Sequence, residues 1–259
     1  MKITFLGTSH GITEKDRYTS STLIEAGGKY YLVDAGAPIM KLLQEVDVPF
    51  TSLGDIFITH SHGDHYMGLV EFTNQIESFG QFDGVKVMIH APELFPYDAM
   101  RTFLFGDHFD IRKLGGSRKD GAEEANRVLC EKYSEGKIFD DGNITVTAYK
   151  TRHYQDSHSL LIEGEGKRIL FTGDLRHDFL DFPYDACKEG LDLVVMEGAH
   201  SLINSDVAIE TFRKIKTKRM IINHIYTVRN TYEMVGEAAE RLADLYPITV
   251  AEDGDAIEL

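Results

Sequence analysis

Four residues that commonly bind metals fall within one hexapeptide, His60-Ser61-His62-Gly63-Asp64-His65. Imidazole nitrogens and carboxylate oxygens together suit Zn²⁺, Mn²⁺ or Fe²⁺. The hexapeptide follows an apolar run at 56–59, and the end of a buried strand can aim several side chains at one point. A histidine-rich polar turn without a metal is a poor account of so dense a cluster. The pattern therefore predicts a metal site.

Six residues seldom complete such a site alone, and the chain offers three further ligand types. His153, Asp174 and His224 each come shortly after a predicted strand. The repeated pattern, an apolar strand with a ligand type at its end, is what a site assembled at one edge of two sheets needs.

The elements that must position these residues can be read from hydrophobic periodicity and from turn residues. Strands are predicted at 2–6, 22–25, 29–33, 55–59, 85–89, 144–150, 159–162, 168–171, 191–196 and 220–223, with one or two more in 248–259. Helices are predicted near 66–79, 206–215 and 229–245. Strands precede helices in both halves, which favours a layered α/β sandwich formed by one domain over 1–259.

Residues 91–137 differ in character from the rest of the chain. They carry few strand signals, an aromatic cluster that includes Phe103, Phe105 and Phe109, and a polar stretch with glycines. This range is predicted to be a helical insertion. A lid over the cleft, a contact between two copies in a homodimer, and simple packing of the insertion are all open for it.

The charge balance limits the partners. Lys and Arg number 27 against 42 Asp and Glu, which gives a net charge of −15. Affinity for long nucleic acids comes largely from Lys and Arg contacts with phosphates, so such a substrate is disfavoured.

A membrane span is not expected, because no apolar run approaches the ~20 residues it needs. Cys130 and Cys187 lie far apart and are predicted to be structural bystanders, and the expected location is the cytoplasm.

Taken together, the motifs resemble the metallo-β-lactamase superfamily. The matching pieces occur in the family's order and are VDAG at 33–36, THSHGDH at 59–65, His153, FTGD at 171–174 and NH at 223–224. The resemblance implies a four-layer αββα sandwich with two divalent metal ions between the sheets. Zinc is the preferred metal, and manganese and iron are alternatives. It implies His60, His62 and His153 on one metal, Asp64, His65 and His224 on the other, and Asp174 between them. Asp34 would lie behind the ligands and orient an imidazole.

The implied chemistry is hydrolysis by a metal-bridged hydroxide. Asp64 could also accept a hydrogen bond from that hydroxide. GTSHGI at 7–12, KDR at 15–17, SST at 20–22 and GDHYMGL at 63–69 resemble ribonuclease Z and its small phosphodiesterase relatives. In that branch a further histidine helps to protonate the leaving oxygen. His200 is preferred for this role here and His158 is the alternative, while an ordinary structural histidine stays open for both.

Several functions follow from this resemblance. The leading one is a phosphodiesterase acting on a small phosphodiester or cyclic nucleotide, because 91–137 shows no evident Gly/Pro/basic arm for gripping transfer RNA. The alternatives are a carboxylic-ester, thioester or lactone hydrolase, a tRNA 3′-processing endonuclease, a di-iron redox protein, and a metal-holding interaction protein without catalysis.

His10 is interpreted as an ordinary loop residue, with a cleft-lining role as the alternative. His90, His108 and His177 are interpreted as ordinary polar residues.

Overall fold

A computed structural model describes residues 1–36, 38–106 and 126–259. The strands are β1 Lys2–Gly7, β2 Ser21–Ala26, β3 Lys29–Val33, β4 Leu53–Phe57, β5 Val87–Ala91, β6 Val128–Lys132, β7 Gly136–Asp140, β8 Ile144–Lys150, β9 His158–Gly164, β10 Lys167–Phe171, β11 Leu193–Gly198, β12 Met220–Ile225, β13 Ile248–Val250 and β14 Ala256–Glu258. The α-helices are α1 Ile39–Glu45, α2 Gly63–Tyr66, α3 Gly68–Ser78, α4 Phe95–Phe105, α5 Asp206–Phe212 and α6 Tyr232–Arg241.

The described strands form two sheets of seven strands each. The first has the order β14-β1-β2-β3-β4-β5-β6 and the second the order β13-β12-β11-β10-β9-β8-β7. Hairpins pair β1 with β2 and β2 with β3 antiparallel, whereas β3 to β6 run parallel. In the second sheet β7 to β10 are antiparallel and β10 to β13 are parallel. Crossover helices follow from the parallel pairs, because parallel strands need long connections.

Three apolar cores show that the layers are arranged as a sandwich. Strand residues such as Leu32 pack outward against Leu43 of α1 and Phe72 of α3. On the opposite outer face, the second sheet packs against α5 and α6. The third core lies between the sheets and joins residues such as Phe57 and Val146. Alternate strand residues thus serve different cores, as the two-residue period of a strand requires.

The predicted αββα sandwich is confirmed. The described part of 91–137 contains the long helix α4 and also a strand, β6, that the sequence did not reveal. β6 is the edge strand of its sheet and its pattern VLCEK is mostly solvent-facing, which leaves little hydrophobic signal. His108 and Phe109 lie outside the described residues, and the prediction of a single domain stays a prediction. Cys130 and Cys187 are both free thiols, and no described helix is long and apolar enough to cross a membrane.

Asp141 joins the two sheets at the end remote from the predicted metal ligands. Its Oδ2 accepts hydrogen bonds from Lys29 Nζ and Tyr31 Oη of β3, both at 2.8 Å. Its Oδ1 accepts from the backbone N–H groups of Asn143 at 2.9 Å and Ile144 at 3.1 Å. Burial would raise the pKa of Asp141, but these donors outweigh burial and hold the pKa well below its usual range.

Asp141→Asn is expected to lower the free energy of unfolding by about 1.5–3 kcal/mol at pH 7, the range for a hydrogen bond to a charged group. A carboxylate with a lowered folded pKa stabilises the fold above its unfolded pKa, and this stability is lost as pH falls. The difference between wild type and variant should therefore shrink below about pH 4. Urea unfolding of wild type and variant at pH 7 and at pH 3 measures this difference in the free energy of unfolding. Asp140→Asn, at an exposed carboxylate bound to Lys137, is the control and should change little at either pH.

Candidate metal centre

The hexapeptide brings its ligand types together at the end of β4. His60 is 0% exposed, and α2 begins at Gly63 directly after His62. The Nε2 of His60 lies 3.0 Å from Nδ1 of His62, which in turn lies 3.3 Å from Nε2 of His153. We call His60, His62 and His153 the first ligand group. Together with Asp174, they offer four ligand atoms within 4.8 Å of one another.

Asp64, His65 and His224 form the second ligand group, whose ligand atoms also lie within 4.8 Å of one another. The Nε2 of His224 lies 3.0 Å from Oδ2 of Asp64 and 3.2 Å from Nε2 of His65. His65 and His224 are buried, and Asp64 is partly buried. Residues 160 positions apart in the chain thus meet at one point.

Asp174 lies between the two groups and presents one carboxylate oxygen to each. Its Oδ2 is 3.6 Å from Nε2 of His60 and 3.5 Å from Nε2 of His153. Its Oδ1 is 3.4 Å from Nε2 of His65 and 3.6 Å from Nδ1 of His224. A carboxylate held in this way can bind two cations, one through each oxygen.

The cluster fits divalent metals because it contains buried polar atoms without hydrogen-bond partners. Asp174 Oδ1 and His224 Nδ1 are buried and have no hydrogen-bond partner among the described residues. Burying such atoms without a partner costs free energy, which a cation would recover. Carboxylates must also be ionised to bind a metal. Burial opposes ionisation of Asp174, but His224 and His65 outweigh it and lower the pKa of Asp174 far below its usual value.

A β-bulge directs His224 into the site. In the pairing of β11 with β12, Glu197 faces Asn223 and Gly198 faces Ile225, so His224 is the extra residue. Its backbone is left-handed, with a φ of 50°. A bulge turns a side chain away from the regular alternation of a strand, and non-glycine residues with positive φ are held only by their surroundings. No pattern in the sequence predicts this β-bulge.

Asp34 holds His65 from behind the cluster. Its Oδ2 accepts a hydrogen bond from Nδ1 of His65 at 2.7 Å, which leaves Nε2 free to face Asp64 and Asp174. Oδ1 of Asp34 accepts from the backbone N–H of Thr59 at 2.8 Å. Burial would lower the pKa of His65, but Asp34 and Asp174 outweigh it and raise this pKa well above its usual value.

Asp34→Asn is expected to weaken metal binding about 10–100-fold, because residues that orient a ligating imidazole typically contribute this much. An amide that turns its NH₂ toward Nδ1 would favour the other tautomer of His65, with the proton on the nitrogen that should bind the metal. Competition with a chromogenic zinc chelator measures the affinity. Asp55→Asn, which changes one of the two carboxylate partners of His90, is the control. Equal zinc affinity in wild type and Asp34→Asn would contradict this role.

His200 lies at the rim of the cluster and touches both ligand groups. Its ring centroid is 4.4 Å from that of His153 and 5.9 Å from that of His224. It is about one third exposed, and its Nδ1 lies 3.4 Å from Oε2 of Glu197. Burial would lower the pKa of His200, but Glu197 and Asp174 outweigh it and raise the pKa to about 9. Asp174, His200 and His224 also form a ligand-type cluster, so the geometry admits His200 as a metal ligand.

Glu197 is a site residue that sequence reasoning missed. It is the second-last residue of the buried strand β11, and its Oε2 accepts from the backbone N–H groups of Ala199 at 2.7 Å and His200 at 3.0 Å. Its Oε1 is buried without a hydrogen-bond partner among the described residues. An ionisable residue at the end of an apolar strand, three positions before the candidate His200, was the available signal.

His158 is not in any of the described residue groups that could hold a metal ion. It begins β9, is buried, and donates from Nδ1 to the carbonyl oxygen of Asp156 at 2.9 Å. Its ring packs edge-on against Tyr133 with centroids 5.1 Å apart. The general-acid role for His158 stays a prediction, and these contacts give its side chain a structural use. His90, which lies between Asp55 and Glu131, is likewise outside these groups.

Comparisons with known proteins identify a family for this chain. Residues 1–189 match the family model described as "Anti-Pycsar protein Apyc1". The chain belongs to the Apyc1 family. Ribonuclease Z of Archaeoglobus fulgidus is 26% identical over 87% of this chain and 87% of its own length. Ribonuclease BN of Proteus mirabilis is 26% identical over 92% of this chain and 94% of its own length.

Solved structures share the fold of this Apyc1-family chain. The metallo-β-lactamase fold protein YhfI from Bacillus subtilis superposes with a TM-score of 0.74 at 18% identity, covering 100% of this chain and 99% of that one. The short form of human tRNase Z superposes with a TM-score of 0.70 at 21% identity, covering 100% and 99%. The chain thus has the metallo-β-lactamase fold, and the ribonuclease Z and ribonuclease BN sequence relatives agree with membership in that superfamily. With its metal-ligating cluster, it is a metal-dependent hydrolase by class.

Proposed function

We propose that this protein is a dinuclear metal-dependent phosphodiesterase that acts on a small phosphodiester, such as a cyclic nucleotide. The observation that carries the proposal is the position of His200. This carboxylate-paired histidine stands at the rim of the cluster, within ring contact of both ligand groups. Hydrolysis of a phosphodiester needs a proton for its leaving oxygen, and a positioned histidine typically contributes 10²–10⁴-fold to such a step.

The proposed metal pair follows from the two ligand groups and from Asp174. His60, His62 and His153 would hold one ion, the second ligand group would hold the other, and the two oxygens of Asp174 would serve one ion each. Zinc is preferred, because imidazole and carboxylate ligands in a compact cluster suit it, with manganese and iron as alternatives. When bound, such a pair lowers the pKa of water and neutralises charge on the attacked phosphoryl group.

The side chains around the pair have separate tasks in this proposal. Asp64 accepts a hydrogen bond from the attacking oxygen and fixes its direction. Asp34 holds the tautomer of His65. His200 carries the proton that passes to the leaving oxygen, and Glu197 stabilises the protonated imidazole through its carboxylate. In the reaction one P–O bond forms and one breaks, and the proton from His200 ends on the departing alcohol.

Charge favours a small substrate over a long nucleic acid. The net charge of −15 repels a polyphosphate chain, whereas the site itself would become cationic when metals bind. Relatives named ribonuclease Z and ribonuclease BN keep tRNA processing as an alternative. Hydrolysis of a carboxylic ester, thioester or lactone is a second alternative, since the same nucleophile can attack a carbonyl.

The test is a substrate panel with metal analysis of the protein as purified. The panel holds bis(p-nitrophenyl) phosphate, several 3′,5′-cyclic nucleotides, an unprocessed tRNA, a lactone and a thioester. We expect turnover of the synthetic diester and of at least one cyclic nucleotide, with about two zinc ions per chain as the proposed pair requires. Turnover confined to the lactone or thioester would overturn the phosphodiesterase, and one ion per chain at full activity would overturn the pair.

A further inference from the structure

We propose that His10 is a substrate-binding residue that donates a hydrogen bond from Nε2 to a phosphoryl oxygen beside the second ligand group. This inference rests on the proposed phosphodiesterase function and assigns part of its substrate site. His10 belongs to the loop between β1 and β2, and a cleft-lining role was the alternative interpretation of it from the sequence.

The loop of His10 is bonded directly to the chain segment that carries His224. The backbone N–H of Ile225 donates to the carbonyl oxygen of Thr8 at 2.9 Å. Glu14 accepts from Thr227 twice, from its backbone N–H at 3.1 Å and from its hydroxyl at 2.8 Å. These bonds fasten the loop to the exit of β12 on both sides of His10, at Thr8 and at Glu14.

The middle of the loop lies over Asp64. A Cβ placed on Gly11 would be 3.6 Å from the carboxylate of Asp64, an ordinary van der Waals distance. His10 is therefore next to a residue that faces Asp64 directly. Its exposed fraction is only 9%, so most of its ring is held by the protein.

Two contacts fix the ring of His10 and its tautomer. The ring stacks on Tyr226, with centroids 4.0 Å apart and an interplanar angle of 21°. The Nδ1 accepts the backbone N–H of Ile12 at 3.3 Å. A neutral imidazole that accepts at Nδ1 carries its proton at Nε2, and no described residue accepts from that nitrogen. The result is one oriented donor with no acceptor among the described residues.

An anionic oxygen is the natural acceptor for this donor. Arg17, the buried cation of the same loop, is already used by Thr8, Tyr232 and the carbonyl oxygen of Ala251. The second ligand group offers lone pairs and a carboxylate, which would go to a metal. A phosphoryl oxygen held at that metal would meet a donor already in position, and such preorganised donors bind charge without a cost of reorganisation. His10 is absent from the clusters that could hold a metal ion, so a ligand role is not assigned to it.

The test compares His10→Ala with His10→Gln, whose side-chain amide can place an N–H group near the position of Nε2. The probe is inorganic phosphate, titrated calorimetrically onto the zinc-loaded protein, and kcat and KM are measured with bis(p-nitrophenyl) phosphate. His10→Ala is expected to weaken phosphate binding and lower kcat/KM by about 10–100-fold, as for the loss of a hydrogen bond to a charged group. His10→Gln should restore at least half of either loss on a logarithmic scale.

The zinc content of both variants should equal that of wild type, which separates substrate binding from metal binding. His177→Ala, at an exposed histidine that lies three residues after Asp174, is the matched control and should change neither quantity. Unchanged phosphate affinity and unchanged kcat/KM in His10→Ala would overturn the assignment, as would a loss that His10→Gln fails to restore. If wild type binds phosphate but does not cleave the diester, weaker binding in His10→Ala supports the role of His10 and contradicts only the proposed function.

Discussion

Replacing Asp174 with asparagine is expected to lower kcat/KM by about 10³-fold or more and to reduce the bound zinc. Its two oxygens face different ligand groups at 3.4–3.6 Å, so in the variant one proposed ion loses this ligand and the other keeps only a neutral amide oxygen. An amide keeps the size of the side chain but not its charge, and metal-derived stabilisation of a transition state amounts to several kcal/mol. Zinc per chain by elemental analysis and the rate of diester hydrolysis measure the effect.

Asp192→Asn is the matched control for this experiment. Asp192 precedes β11, is mostly buried, and bonds the backbone N–H of Arg168 and the side chain of Lys218 away from the cluster. We expect that variant to unfold at a lower urea concentration and to keep its zinc and its activity. Retention of two zinc ions and most of the hydrolysis by Asp174→Asn would show that Asp174 does not bridge a catalytic pair.

Replacing His200 with alanine is expected to lower kcat by about 10²–10⁴-fold, the range for a general acid. The loss should depend on the leaving group. A p-nitrophenolate departs without a proton, so bis(p-nitrophenyl) phosphate should lose little, whereas a cyclic nucleotide that releases an alkoxide should lose the full factor. Glu197→Gln should show a smaller loss with the same dependence, because it removes the carboxylate that stabilises the protonated imidazole.

Zinc content separates the two roles that the geometry allows for His200. If His200 is only a proton donor, the His200→Ala variant should keep its bound zinc. If it is a ligand with Asp174 and His224, its removal should release zinc and slow all substrates equally. His158→Asn tests the alternative acid and is expected to lower stability while leaving the leaving-group dependence unchanged. A loss in His158→Asn that follows leaving-group basicity would instead move the acid role to His158.

The strands that carry the ligand types were predictable to within about two residues, because each is an apolar run bounded by turn residues. β3 and β8 have the predicted bounds, and β10 is one residue longer at its start. β6 and β7 were missed because both are edge strands with few buried residues, which leaves little hydrophobic pattern. Helices α5 and α6 are shorter than the predicted ranges 206–215 and 229–245. Their C-cap residues are Arg213 and Leu242.

The sequence by itself determined the superfamily and the set of ligand types, because a dense hexapeptide and three strand-end residues occur in one order. It also determined the layered fold, since alternating strands and amphipathic helices can bury their apolar faces in few ways. The family resemblance also implied the grouping of the ligand residues, but only the tertiary structure decided their individual contacts. The separate directions of the Asp174 oxygens, the bulge at His224, the pairing of Glu197 with His200 and the stacking of His10 on Tyr226 all join distant segments. Such contacts depend on how two sheets pack, and local residue patterns carry no record of that packing.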